Sequence, residues 1–522
     1  MECSQLLLTG FTQTVNAIFE QPSVLAASAA DDSALTCQDP RPVPMLARGF
    51  LSLQALTRQS AVNMAGGLIS QALKFCVVIY VARQFSVPEF GSFSFAWAVY
   101  AYIFVVSNFG LPMFGSRAVA QSGGVSPELA IEICWSRACL ALLATVVTVA
   151  ILALVPGVSR TELQLVGIFG MSNVAQAGLL DWAFQGLHHQ EISAILNVLW
   201  QGSWLALAVL SVRLGLGLQG VAMALFGSAL IASTVGYFWL KQATTFQLGT
   251  NGTRRLLRRS WEILRSAAAI GWGTLMVTLI VWGDVVLVRA IRGGKAVGLY
   301  AAGNRAALAL AMLACMYVQG AFPLLSRMSA EGAAQFSRYF QRCYQDMALC
   351  FLPGSLWGVF YARQIVLAVF KRTEYLSAVP VFRVFQVAFL LTALWNLYGT
   401  GVVIAFHRDR DYQKVLALTA ALFLPLCSVL TAFHGIQGAG VAVLLTHAFC
   451  LLAFMAKSRG FVHVNHRATL LAPFLIGLGV VAGSRVLGLT LLPSAGLLTL
   501  AYAGIMVVRF RGSYLTARAF QP

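Results

Sequence analysis

The sequence predicts an all-α polytopic membrane protein with about 14 transmembrane helices. Hydrophobic residues make up 59% of the 522 positions and charged residues only 10%, with a mean hydropathy of +0.77. A soluble protein would carry roughly 25% charged residues. The apolar residues also come in blocks of about 20, the length that crosses the hydrocarbon core of a bilayer. A hairpin that occurs twice divides the chain into two parallel repeats.

The two copies of this hairpin lie about 206 residues apart. In each copy an apolar segment ends at an arginine, Arg83 or Arg289, and the chain re-enters the membrane at a glycine, Gly91 or Gly298. Six predicted spans precede the basic link at 241–265, so the first span of each repeat starts on the same side of the membrane. A repeated hairpin that carries charge into its spans indicates a two-lobed transporter rather than a receptor or an anchor.

The apolar blocks divide the chain into lobes and spans. Six spans form an N-lobe at 59–240, six form a C-lobe at 266–456, and two more lie with a tail at 457–522. Residues 1–58 are acidic and contain clustered prolines, which predicts a loosely ordered extension, and the basic stretch 241–265 links the lobes. The predicted spans are 60–82, 90–115, 134–155, 163–186, 192–212, 217–240, 261–288, 296–325, 346–370, 377–406, 413–433, 436–456, 468–488 and 490–508.

The positive net charge of +18 is explained by membrane topology rather than by binding of nucleic acid. Lysine and arginine fall mainly in the short links between spans, which is the pattern that fixes membrane topology. They are about twice as frequent on one side, which places both termini in the cytoplasm. The ten cysteines form no CxxC pair and mostly lie inside spans, so no disulfide framework is predicted.

Motifs of catalysis and cofactor binding are absent from the sequence. It contains no P-loop, so ATP bound to this chain is not expected to drive transport. The pairs His188 and His189, and His463 and His466, fall in links without acidic or cysteine ligands at metal spacing. The sequence therefore predicts a secondary transporter rather than an enzyme, with no metal and no cofactor beyond a coupling proton or Na⁺.

Four stretches carry a resemblance to a known family. The chain resembles the polysaccharide-transporter branch of the multidrug/oligosaccharidyl-lipid/polysaccharide flippase superfamily, the bacterial O-antigen and exopolysaccharide unit flippases. The stretches are VARQFSVPEFGSFSFAWA (81–98) with SNFGLPMFGSRAVAQ (107–121), GDVVLVRAIRGGKAVGLYAAGNR (283–305), FPLLSRMS (322–329) and LAVFKRTEYLSAVPVFRVF (367–385). Their order and spacing, more than any one motif, make the likeness specific.

This resemblance implies a fold and a function. It implies two six-span lobes in a V around a central cavity, in the bacterial cytoplasmic membrane. The cavity would bind a polyprenyl-diphosphate-linked oligosaccharide and present it alternately to the two leaflets. Polysaccharide polymerases and glycosyltransferases are the partners that such a protein implies, together with membrane lipids and without nucleic acid.

Two other classes of function are weighed against this one. The first is a related transporter, either a multidrug extruder or a peptidoglycan lipid-precursor flippase. Extrusion of cations would favour acidic residues in the cavity, whereas the mid-span charges here are basic. The second is a membrane enzyme such as a polysaccharide polymerase, which usually carries a large extracytoplasmic loop. The longest predicted outer link has only about seven residues.

Two cations lie at membrane depth and are the first candidates for substrate binding. Lys74 shares a small, polar helical stripe with Asn63, Gly67 and Ser70, at spacings that predict a face turned to a cavity. The alternative is a lysine that reaches about 12 Å along the helix to the interface. Arg305 lies in the other repeat. The alternative to a binding role for Arg305 is a structural ion pair with an acidic residue of a neighbouring span. Lys74 and Arg305 together suit a diphosphate, since each contact at 4 Å between one of these cations and a phosphate charge contributes about 4 kcal/mol before desolvation.

Further charged residues are weaker candidates. Arg83, Arg117 and Arg289 lie at span ends, where interfacial anchoring explains them as well as substrate contact does. Of these, Arg117 ranks first because its predicted cytoplasmic side is where a lipid diphosphate would be captured. Asp284 and Asp181 are the candidates for ion coupling, because each could take up a proton or help to hold Na⁺. For both aspartates a structural ion pair is an equal alternative.

Aromatic residues at or near span ends could stack on the faces of sugars. Most aromatic residues in such positions form the interfacial belt or pack against neighbours, and the sequence singles none of them out. The candidates are Trp97, Tyr100, Tyr102, Trp200, Trp204, Trp272, Trp282, Trp395 and Tyr398.

Overall fold

The described part of the chain is a bundle of helices. The computed structural model describes residues 45–243, 253–502 and 504, and the regular elements in these ranges are all helical. Nine of the described helices are long and apolar enough to cross a membrane, and ten are if the bent pair Gly294–Leu308 and Leu313–Glu331 is one span. The predicted class, an all-α polytopic membrane protein, is confirmed.

The N-lobe consists of eight helices. Serine caps begin three of them, because the Ser86, Ser126 and Ser159 side chains accept hydrogen bonds from backbone N–H groups of the first turn. Glu89 and Glu162 complete capping boxes at two of these starts. The helices are α1 (Met45–Gln84), α2 (Val87–Asn108), α3 (Leu111–Ser122), α4 (Pro127–Leu154), α5 (Arg160–Gln176), α6 (Asp181–Gly186), α7 (Gln190–Arg213) and α8 (Gly217–Ala243).

The C-lobe and the last two helices follow. They are α9 (Thr253–Arg292), α10 (Gly294–Glu331), α11 (Ala333–Phe360), α12 (Ala362–Phe370), a 3₁₀ helix (Thr373–Ala378), α13 (Val379–Tyr398), a π-helix (Gly399–Ile404), α14 (Asp409–Ser458), α15 (His466–Val486) and α16 (Leu491–Tyr502). Helix α14 has 50 residues and is interrupted at Gly435, whose φ of 61° favours glycine. The backbone of Gly438 packs on Leu430, so the chain reverses there, between the predicted spans 413–433 and 436–456.

Several predicted segments differ in extent from the helices. Helix α1 begins at Met45, so it takes in residues 45–58 of the predicted extension, while residues 1–44 lie outside the described part. The predicted span 90–115 ends at Asn108, and α3 is a separate short helix after a left-handed turn at Gly110. The predicted span 346–370 is broken at Tyr361 between α11 and α12, and α9 begins at Thr253, inside the predicted link 241–265. The predicted span 163–186 is broken between α5 and α6.

A buried arginine stabilises this last break. Arg137 of α4 is only 4% exposed. Its guanidinium donates to the carbonyl oxygens of Gln176 at 3.1 Å, Ala177 at 3.3 Å and Leu179 at 3.0 Å. A helix end leaves its last carbonyls without partners, and a cation there also complements the helix dipole. Arg137 falls inside the predicted span 134–155, and the sequence pattern gave no sign of this role.

The two lobes meet where the repeated glycines lie. We call this the hairpin end, the end of the bundle that holds the links 85–86 and 293. Here α2 and α10 cross with their backbones in contact. A Cβ atom on Gly91 would overlap the carbonyl group of Gly294, and one on Gly298 would overlap that of Val87. Only glycine at both positions permits this crossing.

Two arginines fasten the lobes together around the glycine contact. Arg83 donates to the carbonyl oxygens of Val369 at 2.7 Å and Ala368 at 3.1 Å, which belong to the C-lobe. Arg289 donates in the opposite direction to the two carboxylate oxygens of Glu162 in the N-lobe, at 2.6 and 2.8 Å. We call these contacts of Arg83 and Arg289 the hairpin latch. The described conformation is therefore closed at the hairpin end.

A candidate binding cavity between the lobes

A cavity of about 600 Å³ lies between the two lobes. Helices α1, α2 and α7 line it from the N-lobe, and α9 and α10 line it from the C-lobe. Most of the lining is apolar or aromatic, and no carboxylate is among the described residues that line it. The lining residues with polar or charged side chains, tyrosine and tryptophan aside, are Gln71, Lys74, Gln201, Thr274, Thr278 and Arg305.

Lys74 and Arg305 reach this cavity from opposite lobes. The Arg305 side chain lies over the ring of Trp282, with the guanidinium carbon 4.0 Å from the ring centroid. The residue is 8% exposed, and its Nη2 atom has no hydrogen-bond partner among the described residues. The two positive charges are close enough to repel each other. An anion between them would relieve this repulsion and supply the missing acceptor.

Asp284 lies behind the cavity wall, in the C-lobe. It is 1% exposed, and its carboxylate accepts hydrogen bonds from Tyr300 Oη at 2.7 Å, Asn304 Nδ2 at 3.2 Å and the backbone N–H of Val285 at 2.8 Å. It attracts Arg305 electrostatically, although no ion pair within 4 Å joins the two among the described residues. Asp284 therefore belongs to a buried polar network beside the cavity and does not line it.

The other predicted site residues lie elsewhere. Asp181 begins α6 and interacts with Arg137, away from the cavity lining. Arg117 is exposed on α3, and Arg83 belongs to the hairpin latch. The side chain of Asn63 lies outside the described part of the chain. Of the predicted residues, the structure thus brings Lys74, Arg305 and Asp284 together.

Two cavity residues lie on α7, of which Trp200 was one of the aromatic candidates and Gln201 was not selected from the sequence. Gln201 is 4% exposed and its Oε1 atom has no hydrogen-bond partner, and the Nε1 atom of Trp200 is buried and equally without one, among the described residues. Both residues line the cavity. A neutral amide in the middle of the apolar span 192–212 was the available signal, but it carries no charge to draw attention.

Comparison with models of known protein families shows which family the chain belongs to. The family model described as "Polysaccharide biosynthesis protein" matches residues 56–329, which is more than half of the sequence. The chain belongs to this polysaccharide biosynthesis protein family. The match spans both hairpin copies, both cavity cations and Asp284. The resemblance carried by the four sequence stretches is confirmed.

Solved structures show which fold this member of the polysaccharide biosynthesis family has. The lipid II flippase MurJ in an inward closed conformation has a TM-score of 0.60 at 10% identity, over 84% of this chain and 99% of that one. An inward-facing multidrug resistance MATE transporter of the MOP superfamily scores 0.59 at 13% identity, over 82% and 99%. The Vibrio cholerae MATE transporter VcmN in its bent form scores 0.52 at 17% identity, over 78% and 98%. The fold is that of MOP-superfamily transporters. A search of curated proteins gives no significant match.

Proposed function

We propose that this protein is a flippase that moves polyprenyl-diphosphate-linked oligosaccharide units across the bacterial cytoplasmic membrane by alternating access. The units would serve the synthesis of O-antigen, exopolysaccharide or capsule. The observation that carries the proposal is the pair Lys74 and Arg305, which enters one cavity from two lobes without a counter-ion among the described lining residues. The polysaccharide biosynthesis family and the MOP-type fold support it.

The charge of the cavity favours an anionic substrate over a cationic drug. A cation in the cavity would face two positive charges, and each such pair at 4 Å costs about 4 kcal/mol at an effective dielectric near 20. A diphosphate gains the same amount from each pair before desolvation, and the guanidinium can hold two of its oxygens at once. A peptidoglycan lipid precursor carries its charge in a diphosphate too, so this argument does not separate it. The family assignment is what favours a polysaccharide unit.

The size and shape of the cavity fit the polar end of such a lipid. About 600 Å³ is typical of a site for a ligand of drug size, which matches a diphosphate with its first sugars. The apolar polyprenyl chain has no need of this volume, because it can remain in the surrounding bilayer. With both termini in the cytoplasm, the closed hairpin end faces the periplasm. Substrate would then enter from the cytoplasmic side, where glycosyltransferases act, and a polymerase would receive it outside.

The first test concerns the two cavity cations. Purified protein in liposomes would be supplied with a fluorescent polyprenyl-diphosphate oligosaccharide, and the fraction protected from an outside quencher would be followed over time. Lys74→Ala and Arg305→Ala should each slow flipping at least tenfold, about 1.4 kcal/mol of lost interaction. Lys74→Arg should retain most of the rate because it retains the charge. Arg213→Ala is the control, since Arg213 is exposed at the end of α7 and does not line the cavity. Wild-type flipping by the double alanine variant would refute the proposal.

We further propose that Asp284 couples transport to a proton or to Na⁺. A diphosphate bound at Arg305 would compete with the Asp284 carboxylate for the same positive charge, so that substrate and a coupling cation on Asp284 favour each other. Asp181 is less suited, because its partner Arg137 does not line the cavity.

The second test is Asp284→Asn. The variant should still bind farnesyl diphosphate, a soluble analogue of the lipid diphosphate, at least as tightly as the wild type. It should lose the acceleration that an imposed proton or Na⁺ gradient gives to flipping in liposomes. Separate pH and Na⁺ gradients identify the ion. Asp181→Asn serves as the control and should respond like the wild type. A gradient response that survives in Asp284→Asn would rule out this residue as the coupling site.

A further inference from the structure

The N-lobe wall of the cavity differs chemically from the cationic part. It is formed by the aromatic residues Trp97, Tyr100 and Trp200 together with Gln201. None of these side chains carries a charge, so they contribute little to holding a diphosphate. This wall is therefore suited to an uncharged part of the ligand that lies beside the diphosphate.

The aromatic part of the wall is held rigidly. The ring of Trp97 stacks on that of Trp204, with centroids 4.9 Å apart and planes 5° from parallel. Phe169 packs edge-on against Trp97 at 5.6 Å, and Tyr100 lies 4.9 Å from it on the cavity side of α2. Rigid aromatic surfaces bind at a low cost in conformational entropy, which suits the apolar face of a pyranose ring.

The polar atoms of α7 in this wall require a particular kind of partner. Gln201 Oε1 accepts only, and Trp200 Nε1–H donates only, and both are buried without partners among the described residues. A diphosphate offers acceptors alone and a polyprenyl chain offers neither. A sugar hydroxyl or acetamido group both donates and accepts, so it is the part of the substrate that can satisfy Gln201. Leaving such an atom unpaired is unfavourable, which makes an unoccupied subsite costly.

The position of α7 places this wall next to Lys74. Helix α7 packs along α1, and a Cβ atom on Gly202 would lie 3.8 Å from the side chain of Leu73. Gln201 and Lys74 flank that contact on adjacent helices, and both line the cavity. We propose that Trp200 and Gln201, with Trp97 and Tyr100, form a saccharide subsite that binds the first sugar after the diphosphate. This inference rests on the proposed function, because it takes the diphosphate to lie at Lys74 and Arg305.

Binding of three short-chain probes tests the subsite. The probes are farnesyl diphosphate, farnesyl diphosphate that carries glucose, and farnesyl diphosphate that carries N-acetylglucosamine, each titrated calorimetrically into the protein in nanodiscs. The wild type should bind at least one glycosylated probe about tenfold more tightly than the bare one. Gln201→Met, which keeps the length of the side chain, and Trp200→Phe, which keeps an aromatic ring, should remove most of that advantage. Both variants should bind bare farnesyl diphosphate within twofold of the wild type, which also shows that they are folded.

Each outcome of this experiment decides between the two proposals. The subsite is wrong if neither glycosylated probe binds more tightly than the bare one, or if the α7 variants weaken all three probes equally. Gln219→Leu is the control, because Gln219 bonds to Gln164 outside the cavity and should leave all three affinities unchanged. Binding of bare farnesyl diphosphate that is absent, or unaffected by Lys74→Ala and Arg305→Ala, would refute the diphosphate site itself, and the subsite with it.

Discussion

Alanine at Gly91 is expected to force the two lobes apart at the hairpin end and to reduce flipping to a small fraction of the wild-type rate. The new Cβ atom would overlap the Gly294 carbonyl, and backbone cannot move aside as a flexible side chain can. Overpacking of this kind costs about 1–3 kcal/mol, and more where backbone meets backbone. Gly298→Ala should act in the same way, because its Cβ atom would overlap the carbonyl of Val87.

Hydrogen–deuterium exchange read by mass spectrometry measures the effect. Peptides that cover 81–95 and 288–300 should exchange faster in both variants, because the crossing protects the amides of these helix starts. Gly273→Ala is the matched control, since nothing lies within 4 Å of a Cβ atom at this helical glycine. It should exchange and flip like the wild type. Normal exchange in Gly91→Ala and Gly298→Ala would show that the helices do not cross at these glycines.

Removal of the charge of Glu162 should open the hairpin latch at neutral pH. Arg289 would lose both charge-assisted hydrogen bonds to this carboxylate, whose side chain is only 2% exposed. Breaking a buried ion pair costs roughly 3–5 kcal/mol, because the remaining charge is left without a partner. In Glu162→Gln the peptides around 157–162 and 285–292 should exchange faster, and the melting temperature should fall. Glu89→Gln is the matched control, because Glu89 completes the equivalent capping box at Ser86 without bonding across the lobes.

The same residue gives the latch a defined dependence on pH. Glu162 precedes the predicted span 163–186. Burial raises the pKa of its carboxyl, but the hydrogen bonds from Arg289 and Ser159 and the charge of Arg289 outweigh burial and hold the pKa below its usual value. A lowered pKa means that the latch contributes fully above the pKa of an unfolded glutamate and is lost as the pH falls through the lower folded value. The protection factors of amides at the hairpin end, which correct for the intrinsic pH dependence of amide exchange, should therefore stay constant from pH 8 to pH 5 and fall only in stronger acid. A latch that already loosens near pH 6 would contradict this.

Charge in an apolar span is what the sequence reveals most directly. Lys74 and Arg305 stand out because a cation at membrane depth is expensive, and the structure brings both to one cavity. The reversal at Gly435 was equally predictable, since a glycine separates two apolar blocks. Arg83 and Arg289 lie at span ends as predicted, but span position alone did not reveal their contacts. Their partners lie far away in the sequence, in the opposite lobe, and no local pattern records such a contact.

Neutral residues were the hardest to interpret. Gln201 is one amide in an apolar span, and only the fold shows that it lines a cavity with an unpaired oxygen. Arg137 was visible as a charge, but its role depends on a break in a neighbouring helix that the apolar pattern of 163–186 hides. Periodicity identifies which helices exist, whereas tertiary packing decides which polar atoms find partners.

The reciprocal contacts at the hairpin end have the geometry of a two-fold symmetric dimer interface. In such an interface residue i of one subunit touches residue j of the other, and j touches i. Gly91 of the first half touches Gly294 of the second, and Gly298 of the second half touches Val87 of the first. Each latch arginine likewise reaches into the opposite half. Here both halves belong to one polypeptide, so the link between them keeps each half at a high effective concentration for the other. Association of the two halves is therefore independent of protein concentration. Because the halves are separate stretches of one sequence, each could also change without the other. Arg289 binds a carboxylate, whereas Arg83 binds carbonyls alone.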